Sequence, residues 1–177
     1  MRDTFCSSCG ARYPLAPGVY PRRCDACGEV TFRNPVPVAV ALVPVPGGLL
    51  TVQRGIPPHI GEFALPGGFV DFGEAWQQGC AREVFEETGV RVDADAITLF
   101  DVQSTPDGFR VLIFGLCPRL DHLPALVPNH ETLSLGVYSG YAPAAAGGAP
   151  IDLAFPLHTA AALKWLGCSR SPRSGPS

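Results

Sequence analysis

Residues 66–90 read PGGFVDFGEAWQQGCAREVFEETGV, and the spacing of their glycines and glutamates decides how the rest of the chain is read. Ala75 to Thr88 contains no proline and predicts a helix, with Gly89 as its stop. On that helix Glu83 and Glu87 lie four apart and Glu83 and Glu86 three apart, which puts three carboxylates on or near one face. Like charges at this spacing repel and destabilise an isolated helix, and the neighbouring Arg82 is expected to offset one of them. A cluster that costs stability points to a multivalent cation, and carboxylate oxygens suit Mg2+ or Mn2+. The alternative is a solvated acidic face. Pro66-Gly67-Gly68 favours the cation, because it brings bare backbone next to the helix, as close approach of a ligand requires. Cys80 and Val84, four apart, are the expected buried side.

On either side of this stretch, strand-like and helix-like segments alternate. Strands are expected at Val38 to Val45 and Leu49 to Gln53 around a Pro-Gly turn, followed by a loop from Arg54 to Gly61 and a short strand from Phe63 to Leu65. Ile97 to Gln103 and Phe109 to Cys117 read as a hairpin around Thr105-Pro106-Asp107-Gly108, and Leu133 to Tyr138 as one more strand. Ala142 to Pro150 reads as a loop and Leu157 to Leu166 as a closing helix. The pattern is α/β, a mixed sheet with helices on its faces. The uncharged run from Asn34 to Gln53 has the length of a membrane span, but Pro35, Pro37, Pro44, Pro46, Gly47 and Gly48 break it as a helix. No membrane partner is expected.

The chain has 177 residues, room for one cored domain and a small appendage. Hydrophobic residues at 46% exclude disorder of the whole chain, and a net charge of -3 argues against binding nucleic acid by bulk electrostatics. No apolar signal-peptide core follows Arg2, so a cytoplasmic, reducing location is expected for the seven cysteines. Four of them form two CxxC pairs, Cys6/Cys9 and Cys24/Cys27, each followed by glycine. Such pairs supply a closed tetrahedral shell for a structural Zn2+. Disulfides and a redox CxxC are the rival readings, and both the reducing context and the doubled pattern argue against them. The ribbon's arginines (Arg2, Arg12, Arg22, Arg23, Arg33) nearly cancel its acids and a thiolate-bound zinc, so a structural or docking role fits better than nucleic-acid binding. Three zones are expected: a zinc ribbon over 1–33, a main domain over 34–167, and a flexible tail over 168–177. Cys80 and Cys117 read as small core residues, and Cys168 as exposed and incidental.

Gly68, Glu74 and Arg82-Glu83-Val84-Phe85-Glu86-Glu87-Thr88-Gly89-Val90, at these intervals, resemble the Nudix box at every fixed position. Gly61, Phe63, Leu65, Pro66 and Gly67 resemble the segment that precedes the box. The ribbon followed by Asn34-Pro35 resembles the zinc-ribbon subgroup that includes NADH, ADP-ribose and FAD pyrophosphatases. The resemblance implies a Nudix-like α/β/α sandwich and a metal-dependent hydrolase that cleaves the diphosphate linkage of a nucleoside diphosphate derivative. It implies that Glu83, Glu86 and Glu87, with the Gly67 carbonyl, hold Mg2+ or Mn2+. Arg82 would orient the glutamates and Glu74 would support the turn into the helix. It also makes a homodimer a candidate assembly.

Relatives often carry Glu-x-x-Glu before a late strand, where this chain has Glu131-Thr132-Leu133-Ser134. Either Glu131 takes the second glutamate's role, or the water is activated by Glu83/Glu86 and metal alone. His130 reads as a solvated loop residue. Asp101-Val102-Gln103-Ser104-Thr105-Pro106 does not match the NADH pyrophosphatase signature, which favours ADP-ribose, FAD or a similar compound over NADH or NAD-capped RNA. Arg54, Phe63 and Glu131 are the candidate substrate contacts, with Phe109 a further aromatic. A non-catalytic nucleotide sensor is the alternative of a different class, and the intact box argues against it.

Overall fold

The computed structural model describes residues 4–14, 18–125, 129–141 and 151–167. The expected loop from Ala142 to Pro150 and the expected tail, with Cys168, lie outside them. The chain divides into two compact units, Met1–Pro35 and Val36–Ser177.

In the first unit, β1 (Arg22–Arg23) pairs antiparallel with β2 (Val30–Thr31). Each CxxC closes a tight turn. Gly10 N–H donates to the Cys6 carbonyl at 2.9 Å and Gly28 N–H to the Cys24 carbonyl at 2.8 Å, with both glycines at φ 75°. That left-handed conformation is the reason for glycine after the second cysteine. Among the described residues the hydrophobic cluster is Cys6, Tyr13 and Cys24, with Ala11 against it.

Among the described residues, the second unit holds two four-stranded sheets. The first is mixed, in the order β7 (Gly67–Phe69), β3 (Val36–Leu42), β9 (Arg110–Leu116), β8 (Thr98–Ser104). Its β3–β9 pair is parallel and the others antiparallel. The second is antiparallel: β5 (Gly48–Arg54) pairs with β10 (Thr132–Tyr138), β4 (Pro44–Val45) and β6 (Phe63–Ala64). Helix α1 spans Trp76–Thr88 and α2 spans Pro156–Trp165.

Alternation along the strands explains the layers. On β3, Val40 and Leu42 enter one buried cluster with Leu112, Phe114, Ala161 and Ala162 of α2. The intervening Ala39 and Ala41 enter another with Cys80 and Val84 of α1. Adjacent residues of a strand point to opposite faces, so both faces of this sheet are buried, as an α/β/α arrangement requires.

One detail differs from the sequence reading and one extends it. The run from Val38 to Val45 is not one strand, because it changes sheets after Leu42. Pro44 and Val45 then fold back on Leu49 and Gly48 through the turn at Pro46-Gly47. Gly67 and Gly68 do bring bare backbone next to the helix, and they do so as part of a strand. They pair with Val40 and Ala39 of β3, and a Cβ at Gly67 would stand 2.5 Å from the Ala39 carbonyl oxygen.

Candidate active site and cysteine cluster

The turn into α1 is tied by side chains. Glu74 Oε1 accepts the Asp71 N–H at 2.8 Å and Gln78 Oε1 accepts the Ala75 N–H at 2.7 Å. Gly89, at φ 76°, ends the helix by donating its N–H to the Phe85 carbonyl. Between these ends α1 lies against β3 and β7, so the helix face carrying Glu83 and Glu87 meets the Gly67–Gly68 backbone.

Glu83 and Glu87 are buried and Glu86 is exposed. Glu87 Oε2 accepts the Gly67 N–H at 3.0 Å. The Glu83 carboxylate lies so close over Gly68 that a Cβ there would collide with its Oε1, which is the physical reason for glycine at that position. Arg82 offsets more than the single glutamate expected. Its guanidinium meets Glu74 Oε1 at 2.7 Å, Glu83 Oε1 at 2.8 Å and Glu86 Oε2 at 3.0 Å, and donates to the Phe69 carbonyl at 2.8 Å.

Burial pushes the Glu87 carboxyl up to about 8, against the Gly67 N–H, and the charges of Glu83 and Glu131 push it the same way. Arg54 lies near enough to act in the opposite direction. Glu83 is also raised, first by burial, while Arg82 opposes the shift. Glu74 is held below the usual carboxylate range by its hydrogen bonds with Arg82. Thus two carboxylates are buried with less positive charge around them than full ionisation requires, and a divalent cation would supply it.

Glu131 enters this field from the segment before β10. Its carbonyl accepts the Gly55 N–H at 2.7 Å, and its Oε1 lies 3.2 Å from Nε2 of the exposed His130. Ser134 is engaged elsewhere: its hydroxyl donates to Gln53 Oε1 at 2.8 Å, and Gln53 Nε2 donates to the Gly61 carbonyl at 2.9 Å. Arg54 directs its guanidinium at the carbonyls of Pro58, Ile56 and Pro57, at 2.7, 3.3 and 3.4 Å, and so braces the loop that follows it. Phe63 is partly exposed on β6, and its ring edge fills the space where a Cβ on Gly136 would stand, 2.7 Å from Cε1. Phe109 is exposed beyond the hairpin turn.

Sequence reasoning missed Asn129. Its Nδ2 donates to the Glu86 carbonyl at 3.1 Å, and its Oδ1 accepts the N–H groups of Glu131 and Thr132, each at 2.8 Å. The available signal was the tendency of asparagine to bond backbone two residues on, at the start of a strand.

In the first unit the four sulfurs of Cys6, Cys9, Cys24 and Cys27 all lie within 4.8 Å of one another. Cys6 and Cys27 are 3.8 Å apart and Cys9 and Cys24 3.7 Å. These separations are far beyond a disulfide bond of about 2.05 Å. They equal the edge of a tetrahedron with metal–sulfur bonds of about 2.3 Å, the zinc–thiolate distance. Backbone N–H groups of Cys9 and Ser8 hold the Cys6 thiol down to about 6. Cys27 has one N–H from Glu29, yet its sulfur neighbours and burial push it up to about 12. The donor set fits Zn2+, whose charge would allow all four sulfurs to be thiolates. Cys80 and Cys117 are buried in apolar core, which pushes both thiols up to about 12 and leaves them unreactive.

The chain is 34% identical over 91 residues to the NAD-capped RNA hydrolase NudC of Photobacterium profundum, covering 51% of this chain and 34% of that protein. It spans between about a third and a half of the length of the curated relatives it matches. A crystal structure of a NUDIX hydrolase from Nitrosomonas europaea superposes with a TM-score of 0.73 at 27% identity, covering 93% of this chain and 90% of that one. A bifunctional NMN adenylyltransferase/ADP ribose pyrophosphatase from Francisella tularensis, complexed with AMP and a Mn ion, superposes at 0.52 with 29% identity. It covers 61% of this chain and 35% of that one. The NUDIX domain family model matches residues 34–134, more than half of the 177 residues, and the chain belongs to that family.

Proposed function

We propose that this protein is a divalent-metal-dependent pyrophosphohydrolase that cleaves the diphosphate linkage of a nucleoside diphosphate derivative, with ADP-ribose and FAD as the leading substrates. The observation that carries the reading is the buried pair Glu83 and Glu87, both raised first by burial and then by neighbouring carboxylates, beside the Gly67–Gly68 backbone. Mg2+ or Mn2+ bound there would neutralise phosphate charge and lower the pKa of an attacking water. Glu83, Glu86 and Glu87, with the Gly67 carbonyl, are the proposed ligands. Arg82 holds Glu83 and Glu86 in register, which limits the reorganisation needed when substrate arrives. Glu131 is the proposed fourth carboxylate and proton acceptor. Its charge already acts on Glu83 and Glu87, whereas Ser134 is spent on Gln53. Phe63 is the proposed base contact, and Arg54 the proposed cation facing phosphate from its braced loop.

The ribbon over 1–33 is the proposed structural Zn2+ site, with Cys6, Cys9, Cys24 and Cys27 as its ligands, ahead of a hydrolase domain over 34–167. Among the described residues no helix is long and apolar enough to cross a membrane, and the proposed setting is cytoplasmic.

A second reading, NADH or NAD-capped RNA as substrate, is favoured by the similarity to the NAD-capped RNA hydrolase. One panel separates the readings: ADP-ribose, FAD, NADH, an NAD-capped oligonucleotide and nucleoside triphosphates, each with Mg2+ and with Mn2+, read by product mass. AMP plus the phosphorylated second half from ADP-ribose or FAD is expected. Faster turnover of NADH or capped RNA would select the second reading. Tight binding without turnover of any member would replace the enzyme by a nucleotide sensor.

A further inference from the structure

We propose that Asn129 is a positioning residue for the catalytic centre, setting the Glu131 carboxylate against Glu83 and Glu87; this rests on the metal-centre reading above. Three polar contacts from one side chain join two elements that are otherwise separate in sequence. The Nδ2 donor grips the Glu86 carbonyl in the last turn of α1. The Oδ1 acceptor takes the backbone N–H groups of Glu131 and Thr132. The Glu131 backbone is therefore referred directly to the helix that carries the box carboxylates. On its other side the Glu131 carbonyl is fixed by the Gly55 N–H, so both peptide groups of the residue are anchored.

The electrostatics give this anchoring a purpose. Glu131 carries its charge on the segment that Asn129 ties to α1, the helix of the box carboxylates, and like charge opposes that placement unless a tether holds it. Its side chain is exposed on one side, where it meets the imidazole of His130, itself exposed. Without Asn129, two backbone donors and one helix carbonyl would turn to water, and the segment before β10 would lose its register to α1. Second-sphere partners of this kind orient the groups around a metal, and their loss costs about 10-fold or more in metal affinity.

The test is a double-mutant cycle read by Mn2+ binding alone, followed by electron paramagnetic resonance of the unbound ion, on the full chain with its zinc. N129A and E131Q are each expected to weaken Mn2+ about 10-fold, and the double variant to match E131Q within about two-fold. Multiplying effects would overturn the inference, as would unchanged affinity in N129A or in E131Q. N129S keeps a hydroxyl acceptor but is too short for Glu86. It is expected to repeat N129A, and serves if N129A folds poorly by circular dichroism. Failure of the underlying metal centre shows separately, as E83Q and E87Q that bind Mn2+ like wild type.

Discussion

The two units bury ionisable side chains in opposite ways. In the ribbon the ionisable groups are the core: among the described residues, Cys6, Cys24, Tyr13 and Arg22 are what it buries. In the second unit Glu83 and Glu87 lie at the edge of a core already complete without them, built from Val40, Leu42, Phe114, Val84 and their neighbours. A cation in the first place would supply folding energy, and in the second it would supply chemistry on a fold that stands without it. That difference can be broken at either unit.

The largest effect is expected from removing zinc. Structural zinc contributes on the order of 10 kcal/mol or more to small zinc-binding units, far above what these buried side chains can provide. Chelation, or the C6S or C24S substitution, should abolish amide-exchange protection over residues 4–35. Trp76 and Trp165, both in the second unit, should keep their fluorescence and its melting transition. Persisting protection in the stripped ribbon would mean that its core does not depend on metal.

Next comes catalysis. E87Q and, separately, E83Q should each lower kcat by about 10²–10³ while the thermal midpoint holds or rises, since a buried charge is removed from an intact core. Activity within a few-fold of wild type in both variants would remove the box from the chemistry. A collapse of the fold instead would make these glutamates structural, like the ribbon's cysteines.

Much of this contrast was legible in the residues. The doubled CxxC and the 3- and 4-residue spacing of Glu83, Glu86 and Glu87 are local patterns, and local patterns survive in sequence. So do the strand and helix periods, which placed α1 and β8 to β10 within a residue or two. What stayed hidden depends on partners distant in the chain. Gly67-Gly68 reads as bare backbone beside the helix, but its pairing with β3 does not show in the sequence. Arg82 looks like a counter-ion for one glutamate until the fold brings Glu74 and the Phe69 carbonyl to it as well. Asn129 resembles any loop asparagine until its 43-residue reach to Glu86 is seen. The burial of Glu83 and Glu87 is the clearest case, since charge runs on helices ordinarily face water.

That burial gives the smallest effect, on the pH dependence of stability without divalent cation at the box. Glu87 has a folded value of about 8 against an ordinary 4.5, so its burial costs nothing below about pH 4.5, where both folded and unfolded chains hold the proton. Between 4.5 and 8 the unfolded chain gives up a proton that the folded chain keeps, and stability falls as pH rises. Glu83, raised as well, adds to the slope. Glu74, Asp101 and Asp107 are lowered and act the other way, with their contribution complete before pH 5. His158, which burial holds down to about 3, also acts the other way, until pH passes its ordinary 6.5. The tryptophan melting midpoint of zinc-loaded protein should therefore drop from pH 6.5 to pH 8, by roughly 2–4 °C for each kcal/mol lost. Mg2+ or Mn2+ must displace the same protons, so its stabilisation should grow over that window, and E87Q should flatten both trends. A midpoint that rises between pH 6.5 and 8 without added metal, or a slope over that window that survives in E87Q, would show the carboxylates to be as well compensated as ordinary surface charge, and the contrast between the two units would disappear.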